Sequence, residues 1–319
     1  MRVIRGEEVD RLVGMPAMIE AMRAAFRSDI VEPIRHHHRI ERGDADASTL
    51  LLMPAWTAAG VGASYTGVKI VTVAPNNARR GLASVVGSYL LNDGATGEPL
   101  ALIDGPALTA RRTAAASALA ASYLARVDAA CHLVLGAGAM SPFLGRSMRT
   151  VRPIGETLVW NRSSERAQAV ADRLAGEGIA ATAVRDLEAA VRRADIVSAA
   201  TLSREPLILG AWLAPGTHLD LVGAFTPEMR ETDDAAVALS RVFVDTRAGA
   251  LAEGGDLLQA IASGAFSAGD VIAELSDLVR GNAAGRTTDE EITLFKSVGA
   301  AREDLAAAVL VYERALVEG

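Results

Sequence analysis

The sequence predicts an α/β protein in which a doubly wound parallel sheet follows an α+β block. Between residues 131 and 245, short apolar stretches alternate with helical segments, a rhythm typical of parallel strands joined by right-handed crossovers. Before residue 127 several strands follow one another directly, which indicates antiparallel pairing. At 319 residues and 50% hydrophobic composition, the chain can form one large or two medium domains with real cores.

The first block is predicted to begin with a helix over residues 15–31, with Pro16 tolerated near its start. Strands are expected over residues 35–41, 48–53, 62–73, 85–92 and 99–104. The last two form an antiparallel pair, because the glycine-containing segment 93–97 between them is typical of a hairpin loop. An alanine-rich helix over residues 107–126 closes the block.

The second block is predicted to alternate strands and helices. Strands are expected at 131–135, 156–160, 179–184, 195–200, 217–222 and 241–245, and helices at 164–175, 186–193 and, as one or two segments, 289–318. A helix so late in a chain often folds back on the first domain. We therefore expect one domain from residues 1–126 with 300–319 folding back, and a second from residues 127–299.

A glycine motif follows the first strand of the second block. The apolar segment Cys131–Leu135 runs into residues 136–141, GAGAMS. A strand that ends in Gly-x-Gly exposes backbone N–H groups and a helix N-terminus to the pyrophosphate of a dinucleotide in Rossmann-type domains. Two glycines alone are a weak signal, and a βαβ unit without a ligand is the alternative. The strand before the motif and the helix-compatible stretch after it favour dinucleotide binding.

The next strand indicates which dinucleotide is bound. Glu156–Trp160 is followed by Asn161, Arg162 and Ser163, at the position that contacts the adenosine ribose. An acidic residue there favours NAD, whereas guanidinium and hydroxyl donors favour the 2′-phosphate of NADP. The sequence therefore predicts that NADP(H) is preferred and that NAD(H) is possible.

Charge and composition exclude other classes of function. A net charge of −7 speaks against a nucleic-acid surface, and no run reaches the ~18 apolar residues of a membrane span. The segment after Met1 turns acidic at once, unlike a secretory signal. Cys131, the single cysteine, lies in a predicted buried strand and is interpreted as a core residue in a reducing compartment. We expect a cytoplasmic protein without nucleic-acid or membrane partners.

Polar residues of the first block are candidates for chemistry. Lys69 interrupts an apolar strand, and on these residues alone we expect it to face outward, a charge in a cleft being the alternative. Arg111 and Arg112 place positive charge near the start of a helix, which suggests an anionic partner nearby. The run His36-His37-His38 lacks carboxylate or cysteine partners at ligand spacing, so no metal site is expected.

Several ordered motifs resemble one family over essentially the full chain. They are GVKIVTVAPN at 67–76, LNDGATGEPLA at 91–101, LTARRTAA at 108–115, the glycine turn and KSVG at 296–299. The chain is similar to the ornithine cyclodeaminase/mu-crystallin family. This resemblance implies a homodimer whose amino-terminal domain supplies the substrate cleft and the subunit interface, with a Rossmann domain beside it.

The resemblance also assigns site residues. Arg35, Lys69 and Arg112 correspond to a clamp on the substrate carboxylate, and Ser84 to a position near the nicotinamide. The glycine motif and the resemblance together give the other cofactor-binding residues: Thr113, Gly136, Gly138, Ala139, Met140, Asn161, Arg162, Ser163, Thr201, Val222, Gly223, Ala224 and Ser297.

One departure from the family bears on the reaction. Cyclodeaminases place a catalytic aspartate where this chain has Phe225, which can neither hold an amino group by charge nor move a proton. Residues 224–231, AFTPEMRE, resemble instead the branch that reduces Δ1-pyrroline-2-carboxylate and Δ1-piperideine-2-carboxylate. The resemblance thus implies hydride transfer from NAD(P)H to the C=N carbon of a cyclic imino acid, giving L-proline or L-pipecolate.

The residues leave some alternatives open. Lys69 is our hypothesis for the group that supplies or retains the imine proton, directly or through water. Ring size is not encoded in any motif. Ornithine cyclodeamination, alanine-dehydrogenase-like amination and a non-catalytic, mu-crystallin-like ligand-binding role are the alternatives. Retention of all three clamp cations speaks against a protein that only binds NADP.

Overall fold

The computed structural model describes residues 1–43, 45–58 and 63–318. By its internal contacts the chain forms two compact units, Met1–Arg112 with Ala300–Gly319, and Thr113–Gly299. We refer to them as unit 1 and unit 2. The division falls within one long helix, Gly105–Leu124.

Unit 1 contains a mixed sheet and helices. Its strands are β1 (Arg2–Ile4), β2 (Ile30–Val31), β3 (His36–Arg42), β4 (Ala45–Thr57), β5 (Tyr65–Val73), β6 (Val85–Asp93) and β7 (Pro99–Asp104). Its helices are α1 (Gly6–Leu12), α2 (Met15–Arg27), the first part of α3 (Gly105–Leu124) and the final helix of the chain (Ala301–Glu318), with a 3₁₀ helix at Pro75–Arg80. Gly62, where a predicted strand began, lies outside the described residues.

The strands of unit 1 are ordered β1-β7-β6-β5-β4-β2, with β3 also on β4. Among the described strands of unit 1, only the β1–β7 pair is parallel. The sequence predicted a β4 that ends at residue 53, but the strand continues through Pro54. Along that edge β3 pairs with residues up to Leu52, and β2 pairs from Trp56 onward. Pro54 therefore falls between two partners, where its missing N–H breaks no ladder bond.

One face of this sheet is covered by helices and the other is partly open. The final helix packs against α2, β4, β5 and β6. Strand alternation points the following residues into the resulting core: Met53, Ala55, Tyr89, Leu91, Ala101 and Ile103. The opposite face carries apolar side chains that remain exposed, Trp56 at 36%, Ile70 at 37% and Val86 at 49%. No described helix is long and apolar enough to cross a membrane.

Unit 2 alternates strands and helices. Its strands are β8 (Cys131–Leu135), β9 (Glu156–Trp160), β10 (Ala181–Ala183), β11 (Ile196–Ala199), β12 (His218–Leu221), β13 (Arg241–Val244), β14 (Ala273–Glu274) and β15 (Thr293–Lys296). Its helices are α4 (Ser141–Val151), α5 (Ser164–Gly176), α6 (Leu187–Arg193), α7 (Asp234–Leu239), α8 (Arg247–Glu253), α9 (Gly255–Ala262) and α10 (Leu275–Arg280); the final helix of unit 1 is α11 (Ala301–Glu318).

The sheet of unit 2 is parallel between all its described neighbours, in the order β10-β9-β8-β11-β12-β15-β13-β14. Strand order reverses between β8 and β11, the switch point at which doubly wound sheets bind dinucleotides. The prediction of helix from residue 289 onward was wrong for Thr293–Lys296, which forms the buried strand β15 between β12 and β13. A segment of four residues is too short for periodicity to separate a strand from a helix.

Candidate active site and cofactor cleft

Lys69 is buried against a carboxylate in unit 1. Its side chain is 3% exposed, and its Nζ lies 2.7 Å from Oδ2 of Asp304. The expectation of an outward-facing lysine was wrong. In the register of the sheet, Lys69 stands beside Met53 and Tyr89, on the face that the helices cover, and α11 brings Asp304 to it.

Arg112 joins the same cluster. Its Nε donates a hydrogen bond to Oδ1 of Asp304 at 2.9 Å, and its Nη1 donates to Oε2 of Glu303 at 2.6 Å. All three side chains are buried. The neighbouring Arg111 pairs with Asp10. The anionic partners expected near the two arginines are thus carboxylates of the same chain.

Burial and mutual charge set the protonation of this cluster. Burial lowers the pKa of Lys69 to about 8; Asp304 opposes the shift, whereas the charges of Arg112 and Arg35 add to it. Burial tends to raise the pKa of Asp304, but Arg112 and Lys69 hold it below its ordinary value. Lys69 is therefore a cation that can lose its proton near neutral pH.

Arg35 belongs to the same electrostatic neighbourhood. It lies half-buried just before β3, and its charge contributes to the lowered pKa of Lys69. Unit 1 thus gathers a lysine and two arginines, the side chains that bind carboxylates best.

Gly67 and Tyr89 explain one of the sequence motifs. A Cβ at residue 67 would lie 2.2 Å from the hydroxyl oxygen of Tyr89, so only glycine fits beneath that ring. The Tyr89 hydroxyl is buried without a hydrogen-bond partner in the described part of the chain. Burial, together with the charge of Asp304, raises its pKa well above the ordinary value. Tyr89 therefore stays neutral beside the charged cluster.

The glycine turn of unit 2 has the geometry that its sequence predicted. Gly136 has φ +109°, and a Cβ there would lie 2.7 Å from the carbonyl oxygen of Ala200. At Gly138 a Cβ would meet no atom within 4 Å, which leaves the backbone open to a ligand. The Ser141 hydroxyl donates to the carbonyl oxygen of Gly136 at 2.9 Å, and α4 begins at that serine.

A cleft of about 200 Å³ lies at the carboxyl ends of β8, β9 and β11. Its lining consists of Gly136, Ala137, Gly138, Trp160, Asn161, Arg162, Arg166, Ala200, Thr201, Leu202, Ser203 and Leu207. Five predicted cofactor residues are therefore brought together: Gly136, Gly138, Asn161, Arg162 and Thr201. The open turn and the polar lining fit a dinucleotide whose phosphates approach the glycines.

Arg166 is a lining residue that the sequence reasoning missed. It lies in the first turn of α5, four positions after Arg162. Within the described residues, the guanidinium groups of both arginines are exposed and form no ion pair. Ser163 caps α5 by accepting a hydrogen bond from the Arg166 backbone N–H at 3.3 Å. Ser163 was the available signal, because an N-cap serine at this position places Arg166 in the first turn of the following helix.

Two further loops of unit 2 are held by one carboxylate. Glu231 accepts hydrogen bonds from the backbone N–H of Thr201 at 2.6 Å and from its hydroxyl at 2.8 Å. Its other oxygen accepts from the N–H of Gly223 at 2.7 Å. Thr201 follows β11 and Gly223 follows β12. Sequence reasoning had placed Glu231 only inside a family motif and gave it no role.

The remaining predicted cofactor residues do not line the cleft. Ala139 and Met140 lie in the turn before α4, Val222 and Ala224 flank Gly223 after β12, and Ser297 follows β15. Thr113 is buried within α3, and Ser84 lies in unit 1 just before β6. Their roles stay predictions.

Metal ligands are not grouped in the described ranges 1–43, 45–58 and 63–318. No set of three or more His, Cys, Asp or Glu side chains there is arranged to hold a metal ion. His36, His37 and His38 lie on β3 and are exposed. Cys131 is half-buried, and burial raises the pKa of its thiol to about 11.

Comparison with known proteins gives concordant results. The model of the ornithine cyclodeaminase/mu-crystallin family matches residues 2–319. Delta(1)-pyrroline-2-carboxylate reductase of Paracoccus denitrificans is 43% identical, over 87% of this chain and 89% of that protein. The reductase of that name from Thermococcus litoralis, solved with NADH and L-proline, is 36% identical with a TM-score of 0.94, covering 100% of this chain and 98% of that one. An archaeal alanine dehydrogenase dimer with bound NAD is 31% identical with a TM-score of 0.91, covering 100% and 97%.

Proposed function

Because the chain belongs to the ornithine cyclodeaminase/mu-crystallin family, we propose that it is an NAD(P)H-dependent reductase of cyclic ketimines. The reactions are Δ1-pyrroline-2-carboxylate to L-proline and Δ1-piperideine-2-carboxylate to L-pipecolate. The observation that carries the proposal is the buried cluster of Lys69 and Arg112 on Asp304, in a chain similar throughout to reductases of this name.

The chemistry requires one hydride and one proton. Bound NAD(P)H supplies the hydride that adds to the carbon of the C=N bond. Arg112 and Arg35 bind the substrate carboxylate and so orient the imine. Lys69 holds a proton at Nζ near neutral pH and gives it to, or keeps it on, the imine nitrogen, directly or through water. The product is a secondary amine with one new C–H and one new N–H bond.

NADP(H) is the preferred cofactor in this proposal, with NAD(H) also accepted. Arg162, just after β9, and Arg166, in the first turn of α5, are exposed and form no ion pair in the described part of unit 2. A 2′-phosphate is the anion that suits two such guanidinium groups, and no acidic residue occupies the ribose position. The bound NADH and NAD of the two solved relatives support the wider assignment to nicotinamide dinucleotides.

We also propose a homodimer that covers the open face of the unit 1 sheet. Trp56, Ile70 and Val86 stand on that face as exposed apolar residues of neighbouring strands. Light scattering after gel filtration should give twice the 33.2 kDa of one chain, and Ile70→Glu should give the monomer mass. A cytoplasmic location stays a prediction from the sequence.

The test of the activity is NADPH oxidation, followed at 340 nm. Oxidation is expected with Δ1-pyrroline-2-carboxylate or Δ1-piperideine-2-carboxylate and not without substrate. Faster oxidation with pyruvate and ammonia would replace the proposal with alanine-dehydrogenase-like amination. Release of ammonia from ornithine would replace it with cyclodeamination, and no turnover with any substrate would leave only a ligand-binding protein.

Lys69→Met tests the proposed proton source. The variant keeps an unbranched side chain but has no proton to give, so kcat should fall by about 10²-fold or more, as is typical for loss of a general acid. Binding of NADPH, measured by its fluorescence, should stay within about twofold, because Lys69 belongs to unit 1 and the glycine turn to unit 2. Near-normal turnover would rule out this role.

A further inference from the structure

Glu231 is the centre of a buried network in unit 2 that the proposed chemistry does not use. Its carboxylate accepts three hydrogen bonds, two from Thr201 and one from Gly223. Gly223 must be glycine, because a Cβ there would lie 2.1 Å from the Thr201 carbonyl oxygen and 2.4 Å from Oε1 of Glu231. The two loops are thus pressed together over one fully buried acid.

A second acid, Asp256, holds the backbone of Glu231, and Lys296 pairs with that acid. Oδ1 of Asp256 accepts hydrogen bonds from the backbone N–H of Glu231 at 2.7 Å and of Thr232 at 3.1 Å. Nζ of Lys296 lies 3.1 Å from Oδ2 of Asp256, and both side chains are fully buried. The network therefore runs from β15 through α9 to the two loops, with every charged member removed from water.

The hydrogen bonds around Glu231 suit its ionised form. Three donors point at its two oxygens, and the ionised carboxylate can accept all three hydrogen bonds. Burial and the charge of Asp256 raise the pKa of Glu231 above its ordinary value, and Lys296 and the donors of Thr201 only partly offset this rise. Burying a carboxylate costs desolvation free energy, and this cost indicates that the buried network has a function.

We propose that Glu231 is a positioning residue for the nicotinamide half of the cofactor, holding the loops after β11 and β12 in their binding geometry. This inference rests on the proposed function, since it needs a nicotinamide dinucleotide in the cleft. In a doubly wound domain the first strands and the glycine turn bind the adenosine half, so the strands beyond the switch point receive the other mononucleotide. Thr201, which Glu231 holds, lines that cleft.

The experiment compares two ligands on Glu231→Gln and Glu231→Ala. Glutamine keeps one oxygen for Thr201 but turns an NH₂ group toward the N–H of Gly223, and alanine leaves all three donors without an acceptor. We expect the Kd for NADPH to rise about 10-fold for glutamine and about 100-fold for alanine, the range for a lost hydrogen bond to a charged group. The Kd for adenosine 2′,5′-bisphosphate, which lacks the whole nicotinamide mononucleotide half, should stay within about twofold.

Glu228→Gln is the matched control. Glu228 lies in the same loop but is exposed, so both affinities should be unchanged. Equal losses of both ligands, unchanged NADPH affinity, or a Glu231→Gln variant that fails to unfold cooperatively would each overturn the inference, because the acid would then be structural or dispensable. If the unsubstituted protein binds neither ligand, the proposed function itself fails, which is a separate outcome.

Discussion

Asp304→Asn separates the charge of the buried cluster in unit 1 from its shape. The amide keeps an oxygen for Nε of Arg112 but removes the negative charge beside Nζ of Lys69. Asp304 is the main influence that keeps Lys69 protonated against burial. Its loss should therefore lower the pKa of Lys69.

The size of the effect follows from the contact. With its pKa at about 8, Lys69 is about nine-tenths protonated at pH 7. A hydrogen bond to a charged group contributes about 1.5–3 kcal/mol, which corresponds to roughly one to two pKa units. The protonated fraction at pH 7 should then fall to between about one half and one tenth. We expect kcat/KM at pH 7 to fall at least two- to tenfold.

The assay is the pH profile of kcat/KM between pH 5.5 and 9.5, with NADPH and Δ1-pyrroline-2-carboxylate. The basic limb should lie near pH 8 in the unsubstituted protein, because activity is lost as Lys69 gives up its proton, and it should move to lower pH in Asp304→Asn. Asp10→Asn, which removes the exposed partner of Arg111, should leave the limb in place. An unshifted limb in Asp304→Asn would refute the reasoning.

Three further predictions concern unit 2. Replacing both Arg162 and Arg166 with alanine should raise the KM for NADPH at least about 10-fold and change the KM for NADH by less than about twofold. An equal rise in both KM values would mean that the two residues do not bind the 2′-phosphate. Gly136→Ala should lower the free energy of unfolding in urea by about 1–3 kcal/mol, because φ is +109° and the new Cβ meets a backbone oxygen; an unchanged midpoint would contradict this. Burial lowers the pKa of His132 and His218 to about 3, so both are neutral in the fold and bind protons only when it unfolds. Stability should therefore fall from pH 6.5 toward pH 3, with up to about 1.4 kcal/mol per pH unit from each histidine, and His132→Asn should flatten this slope in urea unfolding measured at several pH values.

The parts of the site that depend on neighbours in sequence were predictable. The glycine turn, the strand before it and the polar end of β9 are each encoded within a few residues. Gly136 needs a positive φ and Gly138 an open backbone, and both requirements follow from the motif. The strands β8 to β13 and the helices α5 and α6 were predictable for the same reason, whereas β15 was predicted as helix, and β14 and the helices α7 to α10 were not predicted.

The partners of Lys69 were not predictable, because they come from a helix far away in the chain. Glu303 and Asp304 occupy the first turn of α11, where acids are ordinary complements of the helix dipole. Nothing in that segment indicates that its acids pair with Lys69 and Arg112, which lie far away in the chain. Without these acids the residues around Lys69 favour an exposed lysine, which is why that interpretation failed.

Glu231 was missed for a similar reason. Its partners Thr201 and Gly223 come from two different loops, and the acid itself lies in a motif with several other polar residues. A buried acid is rare enough that exposure is the sensible expectation from sequence. Only tertiary packing shows that this one is enclosed.

The placement of β15 and α11 has a consequence for synthesis on the ribosome. β15 fills the gap between β12 and β13, and α11 immediately after it covers the sheet of unit 1 and supplies Asp304. Chains translated only as far as residue 290 thus hold one sheet that lacks β15 and one that lacks its covering helix, and each leaves strand edges or apolar surface in contact with water. Both cores close within the same short interval of elongation, so nascent chains should stay dependent on chaperones until nearly all of this sequence has emerged.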